Sequence, residues 1–190
     1  MKRALDYFQA KPGVWALVTA LMLAVLFNLT ATEWLNRSYA ASAYPVPYYV
    51  AQLSFDASRL QGWYAYMLER GTLGIYWQTQ FIDFVFILST ILLHFMALLL
   101  ISRAFAAGSA GRRAMVVCAF VSALGPLFDV AENLVSFVML AQPLSFPVWL
   151  AWLYSGCAAL KFAFFCFAYL AASLGLIAAL AQRLRRLAVA

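Results

Sequence analysis

Seven side chains carry most of the chemical potential of this sequence: Glu33, Asp83, His94, Asp129, Glu132, Asn133 and Lys161. The densest group, Asp129-Val130-Ala131-Glu132-Asn133, follows Gly125-Pro126 inside a long apolar run. Residues three and four apart on a helix share a face, so Asp129, Glu132 and Asn133 are expected to project together. Two neighbouring carboxyls that differ in protonation form an acid/base pair, and Asp129 and Glu132 are the candidate donor and acceptor. Asn133 is expected to orient a ligand. Lys161 is the one basic residue inside an apolar run, and beside carboxylates it is a counter-ion rather than a nucleophile. The Gly-Pro step permits a kink and frees a carbonyl about one turn earlier.

These groups need helices to position them, and the composition says in which solvent. The chain of 190 residues is 66% hydrophobic and 11% charged, whereas soluble domains carry about a quarter charged residues. The reading is an all-α, polytopic integral membrane protein: a four-transmembrane-helix bundle forming a single membrane domain over residues 1–190. Spans are expected at about 14–35, 79–101, 114–140 and 148–180, each near or above the roughly 20 residues that cross a bilayer. The sequence Ala41-Ser42-Ala43 resembles a signal-peptidase site, but the first apolar run is long enough to span and is read as a retained helix.

Between the first two spans lies the main polar segment. Tyr44-Pro45-Val46-Pro47-Tyr48 is expected to be an extended connector, because proline cannot continue a helix. Asp56 is a plausible N-cap and Gly71 a plausible helix end. Between them Leu60, Trp63, Tyr64, Met67 and Leu68 mark an amphipathic interfacial helix at about 57–70, lying on the membrane or covering the bundle mouth as a lid. Tyr76 and Trp77 read as an interfacial belt.

Nine Lys and Arg residues flank the N-terminus, the second loop and the C-terminus, against Arg37, Arg59 and Arg70 in the first loop. The positive-inside rule then puts both termini in the cytoplasm, with a bacterial inner membrane as the expected location. In that topology Glu33, Asp83, Asp129, Glu132 and Asn133 fall in the outer half of the bilayer, with Lys161 somewhat deeper and His94 deepest. Asp83 and His94 are close to three helical turns apart and share a face with Thr90 and roughly with Gln80. Ser122 and Ser136 extend the Asp129 stripe, Asn28 and Thr32 form a stripe in the first span, and Tyr154, Cys157 and Lys161 form one in the fourth. Four polar stripes imply a common interior. Several carboxyls facing one lysine cannot all stay charged in a low dielectric, so a proton or a bound cation is expected to balance them.

The aromatic segment ending in Glu69-Arg70-Gly71, then Tyr76, Phe81-Ile82-Asp83-Phe84, Asp129-x-x-Glu132-Asn133 and Lys161 together resemble a group of uncharacterised bacterial four-span integral membrane proteins. The resemblance covers roughly residues 56–165 and implies the same fold but no activity. It is loosest in the second span, where many such proteins have proline at or near the position of Ile87.

The sequence leaves the cofactor unknown. A single histidine disfavours a metal held by several histidines, and Cys118, Cys157 and Cys166 form no Cys-x-x-Cys pair, so no metal site is expected. The basic residues flank apolar runs, which argues against nucleic acid as a partner. The leading expectation is a site that binds a lipid or isoprenoid-like amphiphile and performs metal-independent acid/base chemistry on it. Asp83, Glu33, His94, Asn133 and Lys161 would form its ligand-binding shell. Taken alone, His94 reads first as a packing histidine. Phe162, Phe164, Phe165 and Phe167 most simply face lipid, or line a lipid pocket. The rivals are a small accessory subunit of a membrane complex, with a protein partner or a second copy of itself, and a proton or cation pathway along the Asp83–His94 face.

Overall fold

Apolar backbone in a bilayer has no water to bond to, so long apolar runs satisfy their amides internally as helices. The computed structural model, which describes residues 2–189, follows this rule. Its elements are α1 (Lys2–Ala10), α2 (Val14–Ala41), α3 (Tyr48–Gln52), α4 (Ala57–Glu69), α5 (Leu73–Ser102), α6 (Ala110–Ser122), α7 (Leu124–Ala141) and α8 (Val148–Val189). Four stretches are long and apolar enough to cross a membrane: α2, α5, the α6–α7 run and Val148–Arg185 of α8.

The helices outrun the expected spans. α2 continues to Ala41 rather than ending near residue 35, α5 starts at Leu73 rather than 79, and α8 runs to Val189 rather than 180. Polar flanking residues obscure these ends in the sequence but do not stop the helices. The third run is broken at Ala123, which closes α6 and opens α7. Pro126 has no N–H for the Ser122 carbonyl, so the ladder lapses one turn before the proline and resumes with Leu127 N–H donating to the Ala123 carbonyl.

α5 is the spine, packing along α2 and also against α6, α7 and α8. The α2 contact follows a seven-residue spacing: Leu17, Ala24 and Ala31 are buried, and Ser38 bonds Thr79 of α5 at 2.7 Å. Small residues at heptad spacing let two helices approach closely at a shallow left-handed angle. Asn28 fastens the middle of the same seam, its amide donating to Ser89 at 2.9 Å and Thr90 at 3.1 Å. α8 packs chiefly on α7 and forms no extended contact with α2. A gap therefore separates α2 from α8 over the face of α5.

The two ends of the bundle are closed differently. At the α4 end, Asp56 caps α4 through the Arg59 N–H, and Gly71 at φ 68° ends it, with Thr72 N–H bonding back to the Met67 carbonyl. Ala57, Leu60, Tyr64 and Met67 are all buried against Tyr76, Met139, Phe146, Leu150 and Tyr154. The segment is thus a packed cap over the bundle mouth, fixed by a Gln61 amide bond to the Phe146 carbonyl at 3.0 Å. Tyr76, expected in an interfacial belt, is 4% exposed within this cap. Burial pushes the Tyr44 and Tyr64 phenols well above the ordinary tyrosine range, so both remain neutral. The connector before α3 is held by the Tyr39 hydroxyl, which donates to the Val46 carbonyl.

At the opposite end, Phe8 of α1 packs edge-on against Phe95 and Phe120. Arg103 caps α1, its guanidinium donating to the carbonyls of Phe8, Gln9, Lys11 and Pro12 at 2.9–3.2 Å. Leu17, Leu98, Leu99, Met115, Val116 and Ala119 form an apolar plug beneath them.

Gly125 is a point of close approach between α7 and α8, where a Cβ would lie 2.7 Å from the Phe165 ring and 3.2 Å from Phe164 Cβ. Gly125→Val is expected to destabilise the protein by about 1–3 kcal/mol through overpacking. Gly62→Ala, at a site with no atom within 4 Å, is expected to leave stability unchanged or raised. Thermal unfolding of both variants in detergent checks the contrast.

Candidate functional site

Buried charge is tolerated only when it is paired, and the interior contains one such grouping. Lys161 of α8 reaches two carboxylates of α7, with Nζ 3.0 Å from Asp129 Oδ1 and 2.6 Å from Glu132 Oε2. The first contact is an aligned hydrogen bond. The second is an ion pair without hydrogen-bond alignment, and Glu132 Oε1 has no partner among the described residues. The ammonium also sits 5.0 Å from the Phe162 ring centroid, where an aromatic face adds to the attraction. All three ionic side chains are 4% exposed or less.

Beside this triad α5 contributes a second pairing, the Asn133 amide donating to Asp83 Oδ2 at 2.7 Å. One turn further along, Gln80 donates to Ser136. The spacings that put Asp83 and Gln80 on one face of α5, and Asp129, Asn133 and Ser136 on one face of α7, thus bring the two stripes into contact. Three carboxyls meet one ammonium here. The imbalance persists in the folded structure.

A cavity of about 380 Å³ adjoins these groups, bounded by α2, α3, α5 and α8, with Asp129 at its α7 wall. Tyr39, Tyr48, Gln52 and Tyr76 line it at the α3 rim, Gln80, Asp83, Asp129 and Lys161 lie further in, and Thr90, Leu93 and Phe165 line its inner end with Tyr169 beyond. His94 lies at that inner end, 6% exposed, edge-on to Phe165 and Tyr169, with neither ring nitrogen hydrogen-bonded among the described residues. It is buried, but it is not a histidine satisfied by packing partners. Below it stands the apolar plug of Leu17, Leu98, Leu99 and Val116.

The structure therefore brings five of the seven singled-out residues into contact and puts His94 apart from them, deeper in the same cavity. Glu33 is outside it altogether. Its side chain is 60% exposed and pairs with Arg37 one turn away at 2.6 Å on the surface of α2, because it falls outside the Leu17–Ala24–Ala31 contact stripe. Glu132 joins the cluster but does not line the cavity; it stands behind Asp129 and Lys161. The lid expected of Leu60–Leu68 is not at the cavity either, since the rim there is formed by Tyr48, Ala51 and Gln52 of α3. Phe162 and Phe165, most simply lipid-facing from sequence, line the cavity, and Phe164 stacks on Phe128.

Sequence reasoning missed Ser89, Thr79, Ser38 and the short helix α3. Thr79 lies one turn before Asp83 within the expected span, so the i, i+4 spacing was the signal for it, and the heptad of small residues in α2 is the signal that would have placed Ser38. Among the described residues no three His, Cys, Asp or Glu side chains converge with metal-ligand geometry. No protein-family model, curated protein or solved structure matches the chain.

Removing one member of a buried ionic group leaves its partners uncompensated, at a cost of about 3–5 kcal/mol, whereas neutralising the whole group is tolerated. Lys161→Met is accordingly expected to lower the unfolding midpoint sharply. Adding Asp129→Asn and Glu132→Gln to it should recover most of the loss. Unfolding of the single and triple variants in one detergent checks this, and an equally unstable triple variant would mean that packing, not charge, governs the site.

Proposed function

We propose that this protein binds a lipid or isoprenoid-like amphiphile in an intramembrane site opening between α2 and α8. The observation that carries the reading is the mixed lining of the cavity, in which Asp83, Asp129, Lys161 and the Gln80 amide stand beside Leu93, Phe162 and Phe165. A volume of 380 Å³ is in the range of small-molecule sites. The lack of an extended contact between α2 and α8 leaves a route for lateral access from the bilayer, by which a water-insoluble ligand would arrive. With Lys and Arg concentrated around the N-terminus, the second loop and the C-terminus, the polar end of the site lies towards the outer face of a bacterial inner membrane.

If chemistry occurs, the groups that touch a ligand are Asp83 and Asp129, which line the cavity. Proton transfer to and from an unsaturated or carbonyl-bearing ligand would then run between these two carboxyls, with Asn133 orienting Asp83 and Lys161 holding Asp129. Glu132, screened from the cavity, serves the charge balance of Lys161. A proton or cation pathway is the weaker reading, because the polar lining ends at His94 and a layer of leucine and valine lies beyond it.

Native mass spectrometry of protein released gently from membranes tests the site. A stoichiometric small-molecule adduct is expected on the wild type and on Leu134→Trp, whose site is 56% exposed on α7. Leu93→Trp, which fills the cavity, should reduce the adduct by about tenfold or more, equivalent to about 1.4 kcal/mol of binding. A wild type that carries a protein partner and no adduct would overturn the proposal in favour of an accessory subunit.

A further inference from the structure

The hydrogen bonds lining the cavity are unevenly spent. The Asn28 amide donates to Ser89 and Thr90, the Thr32 hydroxyl to the Asn28 carbonyl, the Thr79 hydroxyl to the Ile75 carbonyl, and the Gln80 amide to Ser136. These donors are turned onto the protein itself. The strong acceptors are not: Asp83 accepts only from Asn133 through Oδ2, and Asp129 only from Lys161 through Oδ1, among the described residues. Each carboxylate thus has a second oxygen without a protein donor. Lys161, the one cation present, is committed to two carboxylates.

A second, separate observation comes from the opposite end. His94 is nine-tenths buried, lines the cavity and has two unpartnered ring nitrogens. Buried polar atoms left without partners are uncommon in a folded protein, so His94 marks the inner limit of a space that the protein's own groups do not fill. Eleven residues of α5 separate His94 from Asp83, about 16 Å at roughly 1.5 Å per residue. The slot is therefore long, with two carboxylates that each keep one oxygen free of protein donors and with Phe162 and Phe165 along its wall.

We propose, building on the amphiphile-binding reading, that the occupant is a long-chain amphiphile whose head is a primary ammonium group seated between Asp83 and Asp129. Two of its three N–H groups meet the free oxygens of Asp83 and Asp129, its charge offsets one of the two carboxyls in excess of Lys161, and its chain runs past Phe162 and Phe165 towards His94. An anionic head such as a phosphate meets two carboxylates and a lysine already engaged, and is disfavoured at this position. A neutral alcohol satisfies one acceptor and leaves the charge unbalanced.

The three head types can be ranked with one chain length. Full-length protein in a neutral detergent is titrated with dodecylamine, dodecanol and dodecyl phosphate at neutral pH, and binding is read from the concentration dependence of the thermal-unfolding midpoint and from adduct masses. The amine is expected to bind about tenfold or more tightly than the alcohol, and the phosphate least. In Asp83→Asn, which keeps an amide for Asn133 to pair with, the amine should fall to the affinity of the alcohol, while retained alcohol binding certifies the fold of the variant. Alcohol or phosphate binding as tightly as amine would overturn the head-group assignment and leave the amphiphile reading standing. Binding of none of the three would overturn both. An amine preference that survives in Asp83→Asn would place the ammonium elsewhere and also overturn the proposal, and if that variant does not fold, the ranking on wild-type protein decides.

Discussion

The interior depends on one ion-pair geometry, Lys161 held between Asp129 and Glu132. A lone lysine or a lone carboxylate at this depth would have to be neutralised or drawn to the surface. Placed together, they fix the rotation of α8 against α7, because a side chain that can satisfy two carboxylates one turn apart has few alternative registers. Gly125 makes the same demand sterically, since only a residue without Cβ lets Phe165 and Phe164 come so close. Charge and shape therefore specify one α7–α8 interface, and α5 adds the Asn133–Asp83 bond to that frame.

The α2–α5 seam uses different means for the same purpose. Hydrophobicity cannot choose among helix faces in lipid, since lipid is as apolar as leucine. Ala24 and Ala31 supply close approach, and the Asn28 and Ser38 bonds supply direction. Because both α2 and α8 are fastened to α5 and α7 rather than to each other, the space between them is left open by construction. The cavity is the consequence of two specific interfaces that share a spine, not of loose packing.

Much of this was legible in the sequence, and the failures have common physical causes. Four membrane-length helices followed from apolar runs, and the Asp83, Asp129 and Lys161 faces followed from helical periodicity. What failed was what periodicity within one helix cannot report. Glu33 has the same residue type and depth as its proposed partners, yet it turns outward because the α2 stripe is set by small alanines, not by polar residues. The Leu60–Leu68 helix has the amphipathic pattern of a lid, and it is a lid to the bundle. Contact with the cavity falls instead to α3, a five-residue helix between a proline connector and Leu53 that has no pattern long enough to read.

A slot open to a bilayer can be filled by the chain of any lipid, so occupancy alone does not define a ligand. Apolar walls discriminate weakly, by about 1–3 kcal/mol per added or missing methylene, whereas sites built around buried hydrogen-bonding groups reject an unmatched partner far more strongly. In this cavity the polar end is therefore where selection must occur. The Asn28, Thr32, Thr79 and Gln80 donors are engaged within the protein, while one oxygen each of Asp83 and Asp129 and the His94 nitrogens are not. In the bound state proposed above, donors and positive charge meet Asp83 and Asp129 and an apolar body lies against Phe162 and Phe165. The same arithmetic explains the position of Glu132. By engaging Lys161, it withdraws positive charge from the cavity and leaves Asp83 and Asp129 as the carboxylates that line it.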